Sequence, residues 1–189
     1  MTETTCSRTI AAAFVAFTLP LAATQAFAAG SHAGGHGTPV FGEPGDPALA
    51  SRTVTVEMDD NYYEPERIAV KAGETVRFSV TNAGGFVHEF NIGTPEMHVA
   101  HQDEMAMMVE HGVLMPDHID HVAAAAMQAS MGHGQHDDPN SALLEPGQTA
   151  ELVWTFPEDG VIEFACNVPG HYDAGMAGSF EFVETLAQN

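Results

Sequence analysis

Four residues of metal-binding type constrain this chain more than any other feature. Cys166-Asn-Val-Pro-Gly-His171-Tyr-Asp-Ala-Gly-Met176 reads Cys-x4-His-x4-Met, and His88 lies 78 positions before the cysteine. One thiolate, two imidazoles and one thioether are the donor set of a mononuclear electron-transfer copper centre. Thiolate and thioether hold Cu(I), and imidazole accepts Cu(I) or Cu(II). A trigonal set of one cysteine and two histidines, with a weak axial Met, therefore changes oxidation state with little rearrangement. Pro169-Gly170 and Gly175 are turn residues, and strand-like runs flank the loop at 161–165 and 178–183. A buried free thiol would explain Cys166 alone but not the ordered combination. Zinc takes Cys and His readily but rarely Met.

The chain begins like a secretory signal peptide. Arg8 precedes an apolar run from Ile10 to about Ala23, and Ala26-Phe27-Ala28 supplies an A-x-A site, so residues 1–28 are expected to be removed. The run is too short for a membrane span and Pro20 interrupts it. No other stretch suits a span, so no membrane insertion is expected after cleavage. The expected compartment is the periplasm. Cleavage also removes Cys6 and leaves Cys166 as the single cysteine. A leftover thiol outside the cytosol calls for a role, and metal ligation supplies one. Acidic residues outnumber basic ones 26 to 5, for a net charge of −21. Such a field repels nucleic acid and anionic membranes and attracts metal cations and basic proteins.

Residues 29–51 are rich in Gly, Ala and Pro, carry His32 and His36, and read as a flexible arm. A single domain is expected over 52–189. Thr53–Met58 and Thr75–Val80 alternate like strands, Ile68–Val70 is a short one, and Val87–Ile92 follows the turn Asn82-Ala-Gly-Gly85. Thr149–Phe156, Val161–Ala165 and Ser179–Val183 complete seven or eight short strands, the signature of an antiparallel sandwich.

Tyr63-Glu-Pro-Glu-Arg-Ile68-Ala-Val70-Lys-Ala-Gly73-Glu-Thr-Val76-Arg-Phe78, then Asn82, His88-Glu-Phe90 and Cys166–Met176, resembles the cupredoxin family, in particular its plastocyanin- and azurin-type members. The resemblance covers roughly residues 52–92 and 145–185. It implies an all-β, Greek-key β-sandwich with copper at one end, held by His88, Cys166, His171 and axial Met176. Glu89 stands where plastocyanin-like members commonly carry Asn. That departure concerns the hydrogen bond bracing the two ligand loops. The Cys-to-His spacing is longer than in plastocyanins, so blue and green centres both stay open.

Residues 94–140 do not alternate, and so long a connection in a compact domain more often has a function. Seven of the ten Met and seven of the eleven His fall here. Pro95-Glu96 opens an expected helix to about His111, which puts His98, His101, Met105 and Met108 on one face. Pro116-Asp117 opens a second through Met127, while the stretch from Met131 to His136 reads as loop. A Met stripe at helical spacing is most often core. Interleaved Met and His in an exported chain with a copper motif favour accessory copper binding. The candidate residues are His98, His101, Met105, Met108, His111, Met115, His118 and His121. A cupredoxin core with such an insertion resembles the periplasmic copper-tolerance cupredoxins of the CopI type.

Two functions are expected from these features. One is copper handling in the periplasm, with copper ions as ligand and a copper-handling partner. The other is a small electron carrier facing a basic redox protein. Nitrite reductases and multicopper oxidases need a second catalytic copper, and neither a second repeat nor a His-x-His pair is present. Cuprous oxidase activity stays compatible with the donor set.

Overall fold

The computed structural model describes residues 40–132 and 136–185; residues 1–28 and His32, His36 and His133 lie outside them. Ten strands form two five-stranded sheets. In chain order they are β1 (Glu43–Pro44), β2 (Arg52–Asp59), β3 (Tyr62–Glu64), β4 (Arg67–Val70), β5 (Thr75–Asn82), β6 (His88–Gly93), β7 (Ser141–Leu144), β8 (Thr149–Thr155), β9 (Glu163–Ala165) and β10 (Ala177–Phe182). One sheet runs β1-β8-β5-β2-β3 and the other β4-β10-β9-β6-β7. Period-two patterning sets the faces: β5 buries Val76, Phe78, Val80 and Asn82 and turns the residues between them outward.

The sheets are mixed rather than purely antiparallel, which corrects the expectation from sequence. β2 lies parallel to β5 and β4 parallel to β10. The cause is the wiring. After the β2–β3 hairpin the chain crosses to the other sheet for β4, then returns as β5 beside β2 in the same direction. The count also exceeds the seven or eight strands expected, by the addition of the short strands β1, β3 and β7.

Between the sheets lies an aromatic core. Phe156 and Phe180 stand 4.7 Å apart by ring centroid, Phe164 and Phe180 5.1 Å, and Phe78 and Phe90 5.4 Å. Such offset and edge contacts add to the area the rings bury. Part of the expected arm joins this body. Phe41 stacks on Trp154 at 5.4 Å, Trp154 Nε1 donates to the Phe41 carbonyl at 2.9 Å, and Pro44 pairs with Trp154 in the ladder. A buried indole N–H needs a partner, and the arm supplies it.

Residues 94–140 connect β6 to β7. Helix α1 (Pro95–Glu110) is capped by Thr94, with Pro95 at its first position. Helix α2 (His121–Met131) begins later than the sequence suggests. Met115 N–H bonds the His118 carbonyl and Asp120 N–H the Val113 carbonyl, so residues 113–119 form a tight loop, and Asp120 caps α2 through Val122 and Ala123 N–H at 2.9 Å. Met105, Met108, Val113, Leu114, Ala124 and Met127 bury themselves with Val87 in a second apolar cluster. The insertion thus covers the outer face of β6, and all six β6 residues are buried.

Candidate metal centre

Alternation along β6 sends His88, Phe90 and Ile92 inward and Glu89 and Asn91 outward beneath the insertion. His88 is fully buried, and its Nε2 pairs with Asp60 Oδ1 at 3.0 Å. Asp60 sits in the β2–β3 turn and also accepts from Gly85 N–H at 3.0 Å. This contact leaves Nδ1 of His88 facing Cys166 Sγ at 3.9 Å. The chain passes so close at Gly84 that a Cβ there would collide with Asp60 Oδ1 and stand 3.0 Å from His88 Nε2. The hydrogen bond to His88 is the largest influence on Asp60 and holds its carboxyl below the usual range.

Cys166 follows β9, and its Sγ lies 3.3 Å from His171 Nδ1. The Glu89 N–H donates to that sulfur at 3.3 Å. Burial pushes the thiol up to about 12, against the opposing Glu89 amide. Burial also lowers the pKa of His171, with His88 nearby adding to the effect. The loop is self-braced: His171 N–H bonds the Val168 carbonyl at 2.9 Å, Met176 N–H the His171 carbonyl at 3.0 Å, and Cys166 N–H the Met176 carbonyl at 3.1 Å. Gly170 and Gly175 hold φ of 88° and 95°, where side chains are disfavoured. Met176 is fully buried in the same apolar cluster as Cys166.

The donor set fits copper. Nitrogen and sulfur bound about 2.0 and 2.3 Å from a common ion, at a trigonal angle, stand about 3.7 Å apart. The two Sγ–Nδ1 separations of 3.3 and 3.9 Å bracket that value. A buried thioether from the same loop completes a soft set.

Glu89 replaces the loop brace expected of Asn. Its Oε2 accepts from Asn167 N–H at 3.1 Å and Asn167 Nδ2 at 2.9 Å, tying β6 to the residue after Cys166. Glu89 has no exposure. Burial acts to raise its pKa, but hydrogen bonds from His101 and His136 outweigh this and hold the carboxyl well below its ordinary range.

The eight accessory candidates do not gather at one point. His98 is buried, with Nδ1 3.3 Å from Asn167 Nδ2 and its ring against Tyr172. Met105 and Met108 pack in the second apolar cluster. His111, Met115, His118 and His121 are exposed, and His118 pairs with Asp117 at 2.8 Å. His101 meets Glu89 and His136. Among the described residues, His, Cys, Asp and Glu donors converge in threes at two places, His88–Cys166–His171 and Glu89–His101–His136. Asp60, Asn167 and the part His136 plays escape sequence reading, since no local motif marks them. The unusual Glu89 was the available signal.

Comparison with known proteins agrees with the fold. A family model described as a cupredoxin-like domain matches residues 10–102, a span that includes His88 and stops before the Cys166 loop. The copper-resistant cuproprotein CopI of Pseudomonas aeruginosa is 49% identical over 148 residues, 73% of this chain and 80% of that protein. The protein of the same name from Rubrivivax gelatinosus is 41% identical over 151 residues, 79% and 77% of the two chains. Among solved structures, auracyanin B superposes with a TM-score of 0.51 at 21% identity, covering 75% of this chain and 96% of its own. That likeness concerns the fold.

Proposed function

Because the chain belongs to the cupredoxin family, among the copper-resistant cuproproteins named CopI, we propose that it serves copper tolerance in the periplasm by sequestering copper and handling its Cu(I)/Cu(II) exchange. The convergence of His88 Nδ1, His171 Nδ1 and Cys166 Sγ beside buried Met176 carries the reading. Copper bound there supplies a one-electron couple. Asp60 fixes the His88 ring, an outer partner of the kind that orients ligating histidines. The Glu89 amide donates to the cysteine sulfur, and the sandwich excludes water from all but the His171 edge.

His171 borders a groove of about 310 Å³ lined by Phe86, Val109, Leu114, Met115, Pro116 and Pro169. The insertion contributes half of that lining, including the exposed thioether of Met115, a soft donor suited to Cu(I). In this reading His111, Met115, His118 and His121 offer copper capture from the surface, while the burial of Met105 and Met108 supports packing. Copper titration with visible absorption and bound-metal analysis tests the centre. An intense colour that disappears in Cys166→Ala is expected, and its absence from the unmodified protein overturns the ligand assignment. Deleting the gene should raise copper sensitivity in a strain without a paralogue.

The same groove favours a second reading, electron transfer. An apolar rim around a partly exposed ligand, on a chain of net charge −21, suits a basic redox protein. Electron exchange with such a partner should then slow as salt rises. A centre that cannot be reduced and reoxidised excludes it.

A further inference from the structure

We propose that Glu89, His101 and His136 form a second metal site, for a borderline divalent cation with Cu(II) preferred, mechanically joined to the Cys166 centre through Glu89. The proposal deepens the copper-handling reading and rests on it only for the preference for copper.

Three donor atoms meet at one point. His101 Nε2 lies 2.8 Å from His136 Nε2 and 3.1 Å from Glu89 Oε1, and His136 Nε2 lies 2.9 Å from that same oxygen. Three donors each about 2.1 Å from a common ion and at right angles to one another stand about 3.0 Å apart. The triangle has the size of one face of a coordination octahedron.

Protons alone do not satisfy this triangle. If both Nε2 atoms carry hydrogen, two N–H groups crowd each other at 2.8 Å. If one is bare, it accepts the other ring's N–H, but its lone pair also faces a carboxylate oxygen. A cation at the centre gives all three lone pairs a common partner, and its attraction outweighs their mutual repulsion.

The surroundings also resemble those of a ligated site. His101 turns its other nitrogen, Nδ1, toward Glu104 Oε2 at 3.3 Å, the outer carboxylate that ligating histidines commonly use. His136 Nδ1 is buried without a partner among the described residues. Glu89 is itself locked by Ser141 Oγ at 2.7 Å and by Asn167. A cleft of about 370 Å³ opens beside His101, and Glu104, Asp138 and Asn140 line it, so an acidic mouth leads to the triangle. Two imidazoles and a carboxylate suit Cu(II), Zn(II) or Ni(II); they disfavour Mg(II) and Ca(II), which take oxygen ligands, and they lack the soft sulfur that selects Cu(I). Copper(II) binds most tightly in the divalent series.

The link to the first centre is short. The Glu89 backbone N–H bonds Cys166 Sγ, and its carboxylate bonds Asn167, the next residue. Filling the triangle should therefore shift the cysteine-dependent absorption band.

The test is titration of the full chain with Cu(II), and separately Zn(II), after one equivalent of copper has filled the Cys166 centre. Bound-metal analysis and electron paramagnetic resonance are the readouts. A further equivalent with nitrogen and oxygen ligation is expected, with a moved Cys166 band. His101→Gln should abolish it. Glu104→Gln, at a partly exposed position that leaves the fold intact, should weaken it 10- to 100-fold. Both variants should keep the Cys166-dependent colour. Stoichiometry that stops at one, or extra copper indifferent to both variants, overturns the second site. Loss of the Cys166-dependent colour in the unmodified protein instead strikes the first centre, so the two failures are distinguishable.

Discussion

Asn82 offers a direct test of how the sandwich delivers His88. Its buried side chain makes three hydrogen bonds: Nδ2 donates to the Phe86 and Leu144 carbonyls, both at 2.8 Å, and Oδ1 accepts from Gly84 N–H at 3.0 Å. One amide therefore clamps the loop leading into His88 and the strand paired with it, since Leu144 is the register partner of His88. Asn82→Ala removes all three bonds. At about 1 kcal/mol each the loss is about 3 kcal/mol, and the Leu144 carbonyl is left buried without that partner. For a domain of this size that corresponds to a Tm lower by about 10 °C. With a urea m-value of about 2 kcal/mol/M, the midpoint should fall by about 1.5 M. Urea unfolding of the metal-free protein measures this, and a copper titration of the same variant should show weaker binding because His88 is less firmly held. A loss under about 1 kcal/mol with copper affinity unchanged would refute the clamp, because solvent would then replace all three bonds at no cost to the site.

Three further outcomes are expected. Asp60→Ala should weaken copper binding 10- to 100-fold in chelator competition by freeing the His88 ring, and Gly84→Ala should do the same, since its Cβ displaces Asp60. Met105→Ala should cost about 2–5 kcal/mol by chemical denaturation if Met105 is packing; an unchanged stability with one copper fewer would reassign it as a ligand. Burial acts to raise the Glu74 pKa, but Arg52, the Lys71 amide and Ser51 outweigh it and hold the carboxyl below its ordinary value. Its contribution is thus present at neutral pH and is lost as pH falls through the depressed folded pKa. Urea midpoints should therefore drop less on acidification in Glu74→Gln than in the unmodified protein.

The parts visible in the sequence are those written in local order. Cys166, His171 and Met176 sit in one loop, and the alternation of β2, β5 and β8 states which side chains face inward. The helical face from His98 to Met108 is likewise a local pattern. Contacts made only by tertiary folding leave no such trace. Asp60 reaches His88 from the far side of the β2–β3 turn, and Trp154 captures Phe41 from a stretch whose composition suggests an arm. Glu89 shows the same limit: its identity stood out, but its hold on Asn167 and its meeting with His101 and His136 depend on helices packed over β6. The two parallel strand pairs also follow from crossings between sheets, which patterning within a strand does not encode.

Strand β6 leaves the sandwich and β7 re-enters it as immediate ladder partners, with Asn91 opposite Ser141. Residues 94–140 consequently begin and end at the same doorway. Extending such a loop costs little closure entropy, and no strand must change register when it grows, shrinks or is exchanged. In evolutionary terms the sandwich and its ligand loop form a fixed chassis, and the doorway is a port for separate innovation. The insertion can vary at that doorway without disturbing the Cys166 loop, provided that Glu89 keeps its hold on Asn167.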